Sequence, residues 1–318
     1  MLVAFSVGRY PVTPRQLTAL LWARLAGAPT SLPPAVEAVV FRVRGPRVLS
    51  AVAIGATLAA AGSAYQGLFR NPLVSPDILG VSSGAALGAT LGIYFSWGVV
   101  GIQGLAFALG LAAVATVYAV GAALRRHDPI LVLVLAGIVV GTLLGSCVSL
   151  IKYLADPYNQ LPAITFWLLG SLSSITVADL ATILPAALVG LVPLWLLRWR
   201  MNVMTLSEEE ALALGVDTRR VRLVVVAAAT LMTAAAVSVS GVIGWIGLLI
   251  PHFARLLVGP DFSRLLPAAM LLGAGYLVAV DTLARAIAPL EIPLGVLTAF
   301  IGAPFFIWLL AASRRGWQ

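Results

Sequence analysis

Seven apolar stretches, each long enough to cross a bilayer, decide what this 318-residue chain can fold into. They run over about 48–69, 78–98, 99–123, 129–151, 177–199, 265–284 and 293–312, and a transmembrane helix needs roughly 20 mostly apolar residues. An eighth apolar region, Leu223 to Val258, is interrupted by Gly241, Gly244, Gly247 and Pro251. It is too long for one straight helix and short for two, which predicts two short or broken spans. Charged residues make up only 10% of the chain, against roughly 25% in a soluble domain. The expected fold is therefore an all-α polytopic membrane protein with about nine complete spans in one membrane domain, 1–318.

The front of the chain departs from this pattern. "MLVAFSV" is apolar but too short to cross, and it lacks the basic start and small-residue cleavage site of a signal peptide. It reads as the end of a truncated first span. Between it and the first full span, Leu17, Leu20, Leu21 and Leu25 share one helical face, which predicts a helix lying in the membrane interface. "PAITFWLLGSL" (162–172) is too short to cross and predicts a re-entrant or external helix. The chain thus divides into 1–47 (partial span and external interfacial segment), 48–199 (first set of spans), 200–220 (a polar connection) and 221–318 (second set of spans).

Topology follows from counting basic residues, because cytoplasmic connections carry the excess of arginine. The connection near 198–222 holds Arg198, Arg200, Arg219, Arg220 and Arg222, and the C-terminal tail holds Arg314 and Arg315. Four spans separate the two, so they share a side, and that side is the cytoplasm. Arg70, Arg125, Arg126, Arg255 and Arg264 fall there too, whereas Lys152 and Arg285 fall outside. Five spans lie between Arg47 and the 198–222 connection, so Arg42, Arg44 and Arg47 also lie outside. They break the charge rule that the rest of the chain obeys.

Several chemistries are excluded or disfavoured. The only lysine, Lys152, follows "SLI", so no G-x-x-x-x-G-K-[ST] exists and the chain is not a P-loop ATPase by itself. His127 and His252 are far apart in sequence, and neither H-E-x-x-H nor C-x-x-C occurs, so no metal or zinc-protease site is expected. Nothing resembles G-x-S-x-G, and the single cysteine, Cys147, reads as packing. The net charge of +8 reports topology and contact with lipid, not nucleic acid. No catalytic residue, metal ligand or bound cofactor is expected.

Four features carry more specific signals. In "FRNPLVSPDILGVSSGAALGA" (69–89), Asn71, Pro72, Ser75, Pro76 and Asp77 form a cytoplasmic turn, and Gly80, Ser82 and Ser83 open a helix rich in small polar groups. Irregular backbone at this depth survives only when buried in protein or lining a wet cavity, so the stretch reads as the inner mouth of a pathway, with an ordinary tight loop as the alternative. In "MNVMTLSEEEALALGVDTRR" (201–220), Ser207 is an N-cap, Glu208, Glu209 and Glu210 occupy the first turn, and Gly215 is a C-terminal stop. Leu206, Ala211, Leu212 and Leu214 are left available to a partner. Asp281 and Arg285, spaced i,i+4 near the outer end of a span, predict mutual neutralisation. Gly84, Gly88 and Gly92, and likewise Gly137, Gly141 and Gly145, form ladders that suit close helix packing within the chain or a dimer seam.

With these stretches in hand, the chain resembles the FecCD (vitamin B12 and iron-chelate type) permeases, the membrane subunits of type II ABC importers. The match is carried in order by "VRGPRVL", "QGLFRNPLVSPDILGVSSGAALGA", "LSEEEALALGV", "SGVIGWIGLLIPHFARLLVG", "LLPAAMLLGAGYLVAVDTLAR" and "IPLGVLTAFIGAPFFIWLL". The resemblance implies ten helices in inverted repeats, a second copy of the chain around a central pathway in the bacterial inner membrane, and a cytoplasmic C-terminus. It also implies two ATP-binding cassette subunits that hold ATP and Mg, and a periplasmic substrate-binding protein. It makes 204–215, with Leu206, Ser207, Glu208, Glu209, Ala211, Leu214 and Gly215, the helix coupled to the ATPase. Arg44, Arg47 and Arg285 would dock the binding protein's acidic residues, and Asn71, Pro72, Ser75, Pro76, Gly80, Ser82 and Ser83 would form the inner gate. The implied cargo is a metal chelate, ferric siderophore or haem first, then cobalamin, then an oxyanion such as molybdate. A secondary transporter is the more distant alternative. Two departures from the family pattern are the truncated first helix and Gly45 in place of a common leucine.

Overall fold

A computed structural model describes residues 2–8, 10–29, 32–123, 129–288 and 290–313, and the regular structure among them is entirely helical. Arg125, Arg126, His127, Arg314 and Arg315 lie outside the described residues. After a short α1 (Leu2–Ser6) comes α2 (Pro14–Ala26). Its start is set by a capping box in which Thr13 Oγ1 accepts from the Gln16 amide at 3.2 Å and Gln16 Oε1 accepts from the Thr13 amide at 2.9 Å. Leu17 and Leu20 pack with Val36 and Val40, but Leu21 and Leu25 point outward. The expected single leucine face is therefore split.

α3 (Pro34–Ala38) passes through a wide π-helical segment, Val39–Arg44, into α4 (Gly45–Leu68) without a break. The first full span thus begins well before residue 48. α5 (Val81–Tyr94), α6 (Val99–Ala123), α7 (Pro129–Leu154), the short α8 (Gln160–Leu168) and α9 (Val177–Leu196) follow. The polar connection holds α10 (Arg198–Val203) and α11 (Glu208–Ala213), and α12 (Thr218–Ser240), α13 (Ile246–Val258), α14 (Phe262–Ala286) and α15 (Leu294–Ser313) complete the chain. Six helices among the described residues have the length and apolarity to cross a membrane, and α5, α13 and α15 supply three shorter apolar ones. Together they match the nine expected spans, with the 223–258 region resolved into α12 and α13.

α4 is the central helix, buried along most of its length. A Cβ on Gly62 would strike the backbone of Gly247 on α13, and one on Gly55 would strike Gly273 of α14, so backbones meet directly where lipid offers no hydrophobic drive. Gly84 and Gly88 seat α5 in the same way on the carbonyls of Leu109 and Leu105 in α6. That ladder is spent within the chain. Where α12 breaks, the Ser171 amide donates to Ser240 O at 2.8 Å, the Leu294 amide to Gly170 O at 2.9 Å and the Gly295 amide to Leu169 O at 3.0 Å. The ends of α8, α12 and α15 therefore satisfy one another's backbone, as irregular chain at membrane depth requires.

Candidate functional site

α11 is built as its sequence predicts. Ser207 Oγ accepts from the Glu210 amide at 3.2 Å, and Glu210 Oε2 accepts from the Ser207 amide at 3.0 Å and hydroxyl at 2.9 Å. These bonds hold the Glu210 carboxyl below its usual range. The helix ends at Gly215 (φ 76°), whose amide donates to Leu212 O while the Val216 amide donates to Ala211 O, both at 2.9 Å. The helix proper is shorter than 204–215. Leu212 within the helix and Leu206 and Leu214 at its two ends are 60%, 39% and 53% exposed. Ala211, by contrast, is fully buried, because it sits on the side of α11 that packs into the protein core.

Two arginines fasten this element to the bundle. Arg222 of α12 pairs with Glu208, Nη2 to Oε1, at 3.0 Å. Arg70 donates from Nε to Met204 O at 2.9 Å and from Nη2 to Leu206 O. Beside Arg70 opens a cleft of about 400 Å³ walled by Asn71, Pro72, Thr205, His252 and Arg255. Deeper in, Gln66 Nε2 donates to Leu248 O at 3.0 Å and Arg255 Nη2 donates to Gln66 Oε1 at 3.1 Å. Asn202 bridges Asp261 and the Phe262 amide, both at 2.7 Å, which holds Asp261 below the usual carboxylate range. Gln66, Arg70, Asn202 and Arg255 carry no sequence motif for these roles; the only signal is that they are polar groups at the ends of apolar runs.

The residues expected at the inner gate do not share one cavity. Asn71 and Pro72 reach the cleft, whereas Pro76 packs on Gly247 and Ser83 Oγ lies near Gly141 of α7. Ser82 donates to Asp77, which Ser75 also reaches at 3.4 Å. Gly80 (φ 80°) makes the left-handed turn that starts α5.

At the opposite end, the three arginines expected at the docking edge are buried in this chain. Arg44 and Arg47 are 4% and 5% exposed, and the Arg285 side chain is 7% exposed. Arg47 Nε lies 2.8 Å from Asp281 Oδ1 and Nη2 lies 2.9 Å from Glu291 Oε2. Arg285 Nε lies 3.1 Å from Asp281 Oδ2, the predicted i,i+4 pair, and its other nitrogens donate to Val7 O at 3.1 Å and Ala4 O at 3.2 Å. Arg44 donates to Phe5 O at 2.5 Å and Tyr10 O at 2.6 Å. Three cations at the edge of an apolar bundle must be neutralised or hydrogen-bonded. Here two acids and the carbonyls of Ala4, Phe5, Val7 and Tyr10 do this, so the guanidinium groups face inward. Arg42 remains exposed.

The chain is similar over most of its length to several permeases and to a solved transporter. The molybdate import system permease protein MolB of Haemophilus influenzae is 39% identical over 99% of this chain and 92% of its own. The cobalamin import system permease protein BtuC of Halobacterium salinarum is 44% identical over 88% of this chain and 75% of its own. A metal-chelate type ABC transporter solved in an inward-facing conformation superposes with a TM-score of 0.88 at 38% identity, covering 98% of this chain and 94% of that one. The model of the FecCD transport family matches residues 1–312. With nine apolar helices among the described residues, a capped polar helix on the connection between them and no nucleotide-binding motif in its sequence, this chain belongs to the FecCD transport family, the permease subunits of ABC transporters.

Proposed function

We propose that this chain forms, with a second copy of itself, the translocation pathway of an inner-membrane importer for a metal chelate, ferric siderophore or haem first. A periplasmic binding protein delivers the cargo, and two ATP-binding cassette subunits below the membrane supply the energy. The C-terminus and α11 lie on the cytoplasmic side, as the arginine count requires. The observation that carries this reading is α11 itself. A short helix capped at both ends, tied down by Arg222 and Arg70, and carrying exposed leucines within it and at its ends suits a partner's apolar surface. The likeness to a metal-chelate type transporter favours a chelate. The molybdate and cobalamin permeases among its relatives keep those cargoes as the second reading.

Mechanistically, closure of the ATPase dimer would push on α11, and the bundle would open its inner and outer mouths in turn. ATP would contact the ATPase subunits and not this chain. The test is uptake into proteoliposomes that hold the full complex, with the binding protein loaded in turn with haemin, a ferric siderophore, cobalamin and molybdate. ATP-dependent accumulation of an iron chelate is expected. Accumulation of molybdate or cobalamin alone would replace the cargo. Uptake that survives loss of the ATPase and collapses with the proton gradient would replace the mechanism by secondary transport.

A further inference from the structure

The last turn of α4 ends in a left-handed residue that is not glycine. The Arg70 amide donates to Gly67 O at 3.3 Å and the Asn71 amide to Gln66 O at 3.2 Å, with Arg70 at φ 50°. This is the helix stop in which glycine is the usual residue, because a Cβ is disfavoured there. α11 closes with the same pair of bonds and does use glycine, Gly215, where a Cβ would meet nothing within 4 Å. The same pair of bonds also closes α5 at Ser96 (φ 56°), so among these three stops the chain uses glycine at 215 and accepts a side chain at 70 and 96. What sets Arg70 apart from Ser96 is that its side chain hydrogen-bonds to another element of the fold.

That side chain spans to two carbonyls, Met204 O and Leu206 O, at the end of α10 and directly before the cap of α11. On the membrane side, the same end of α4 is locked to its neighbours. Tyr65 stacks on Phe69 at 5.8 Å and bonds Thr230 of α12 at 3.0 Å, while Gln66 joins Leu248 and Arg255 of α13. We propose that Arg70 is the positioning residue that couples α11 to the transmembrane core, its two-carbonyl clamp carrying displacement of α11 into α4 and through it into α12 and α13. This rests on the reading of α11 as the face that meets the ATPase.

The test uses the full complex with its ATPase subunits, in a Cys147→Ser background carrying Ser83→Cys as a reporter in α5. Labelling of that thiol by a water-soluble maleimide is measured with and without ATP and vanadate. Arg70→Gly keeps the left-handed turn without strain and removes only the clamp. Arg70→Lys keeps the charge but lacks the rigid fork that holds two carbonyls. Both should retain assembly and thermal stability while the nucleotide-dependent change in labelling rate shrinks about tenfold, the factor a charge-assisted hydrogen bond is worth. A full response in Arg70→Gly would overturn the proposal, and a full response in Arg70→Lys would overturn the two-carbonyl clamp in favour of charge alone. Leu212→Asp with Leu214→Asp reports on the underlying reading separately. If the ATPase stays bound to that variant, or if the reporter in the parent complex ignores nucleotide, the coupling-face reading itself fails. Release of the ATPase together with an undiminished response in Arg70→Gly overturns the role of Arg70 alone.

Discussion

Arg47 and Asp281 stand 234 residues apart in sequence, yet Arg47 Nε and Asp281 Oδ1 meet at 2.8 Å with side chains 6% and 1% exposed. The pair joins α4 to α14, and Asp281 holds Arg285 with its second oxygen. One carboxylate thus pairs with two guanidinium groups, and Glu291 supplies the second negative charge. Removing a single partner of a buried pair leaves the other charge uncompensated, which costs about 3–5 kcal/mol. Asp281→Ala should lower stability by that order, read as a loss in thermal unfolding temperature in detergent. A change within the scatter of a surface substitution, about 0.5 kcal/mol, would show that the cluster contributes nothing to the fold.

The inward turn of these arginines also changes what docking at this corner demands. Arg47 already holds Glu291, whose side chain is 33% exposed, so an acidic partner has to displace that carboxylate. Glu291→Gln should therefore tighten binding of the periplasmic protein by up to about fivefold, since a partly exposed pair is worth roughly 0.2–1 kcal/mol. Binding should also weaken more steeply with salt, because a new intermolecular ion pair is screened over about 8–10 Å. Surface plasmon resonance at two ionic strengths decides this, and unaltered affinity and salt slope would remove Arg47 from the docking surface.

The contrast between the two ends shows what the sequence made legible. Spans, their order and the breaks around Gly241 could be read because apolar length and glycine interruption are local signals. The Ser207–Glu210 capping box was equally local, its two residues three positions apart. The fate of Arg44 and Arg47 was not local, and for Arg285 only its i,i+4 pair with Asp281 was. The pattern that places them outside the cytoplasm says nothing of acids 234 and 244 residues away, nor of the carbonyls of Phe5 and Tyr10. Arg70 escaped notice for a related reason. Glycine announces a left-handed stop in sequence, and an arginine in the same conformation does not. Ala211 shows a smaller error of the same kind, since six residues of α11 leave too little periodicity to tell its buried side from its exposed one.

The exposed leucines of α11 give the most direct functional prediction. Leu212→Asp combined with Leu214→Asp places two charges where an apolar partner would seat, while both positions are more than half exposed in the chain alone. The bundle should fold unchanged, and the ATPase subunits should no longer copurify, a loss of at least about 2 kcal/mol if these side chains are anchors of the interface. Leu206→Asp with Leu214→Asp should likewise separate ATP hydrolysis from uptake. Normal copurification and normal transport in both would mean that the ATPase meets a different surface.

Two glycines test where helices touch. Gly62 faces the backbone of Gly247 so closely that no Cβ fits between α4 and α13, whereas Gly145, on α7, has nothing within 4 Å. Overpacking at a tight contact typically costs about 1–3 kcal/mol, so Gly62→Ala should destabilise the chain by that amount. Gly145→Ala should be neutral or gain up to about 1 kcal/mol from helix propensity, as measured by thermal unfolding of the isolated chain. The two glycine ladders differ in the same way. Gly84 and Gly88 are consumed by α6 within the chain, but Gly145 lies on a helix whose hydropathic core is only 17% buried. If Gly145→Ala leaves the single chain untouched yet weakens association of two copies in a size-exclusion or cross-linking assay, α7 carries the seam between them. If it leaves both untouched, the seam lies on another helix.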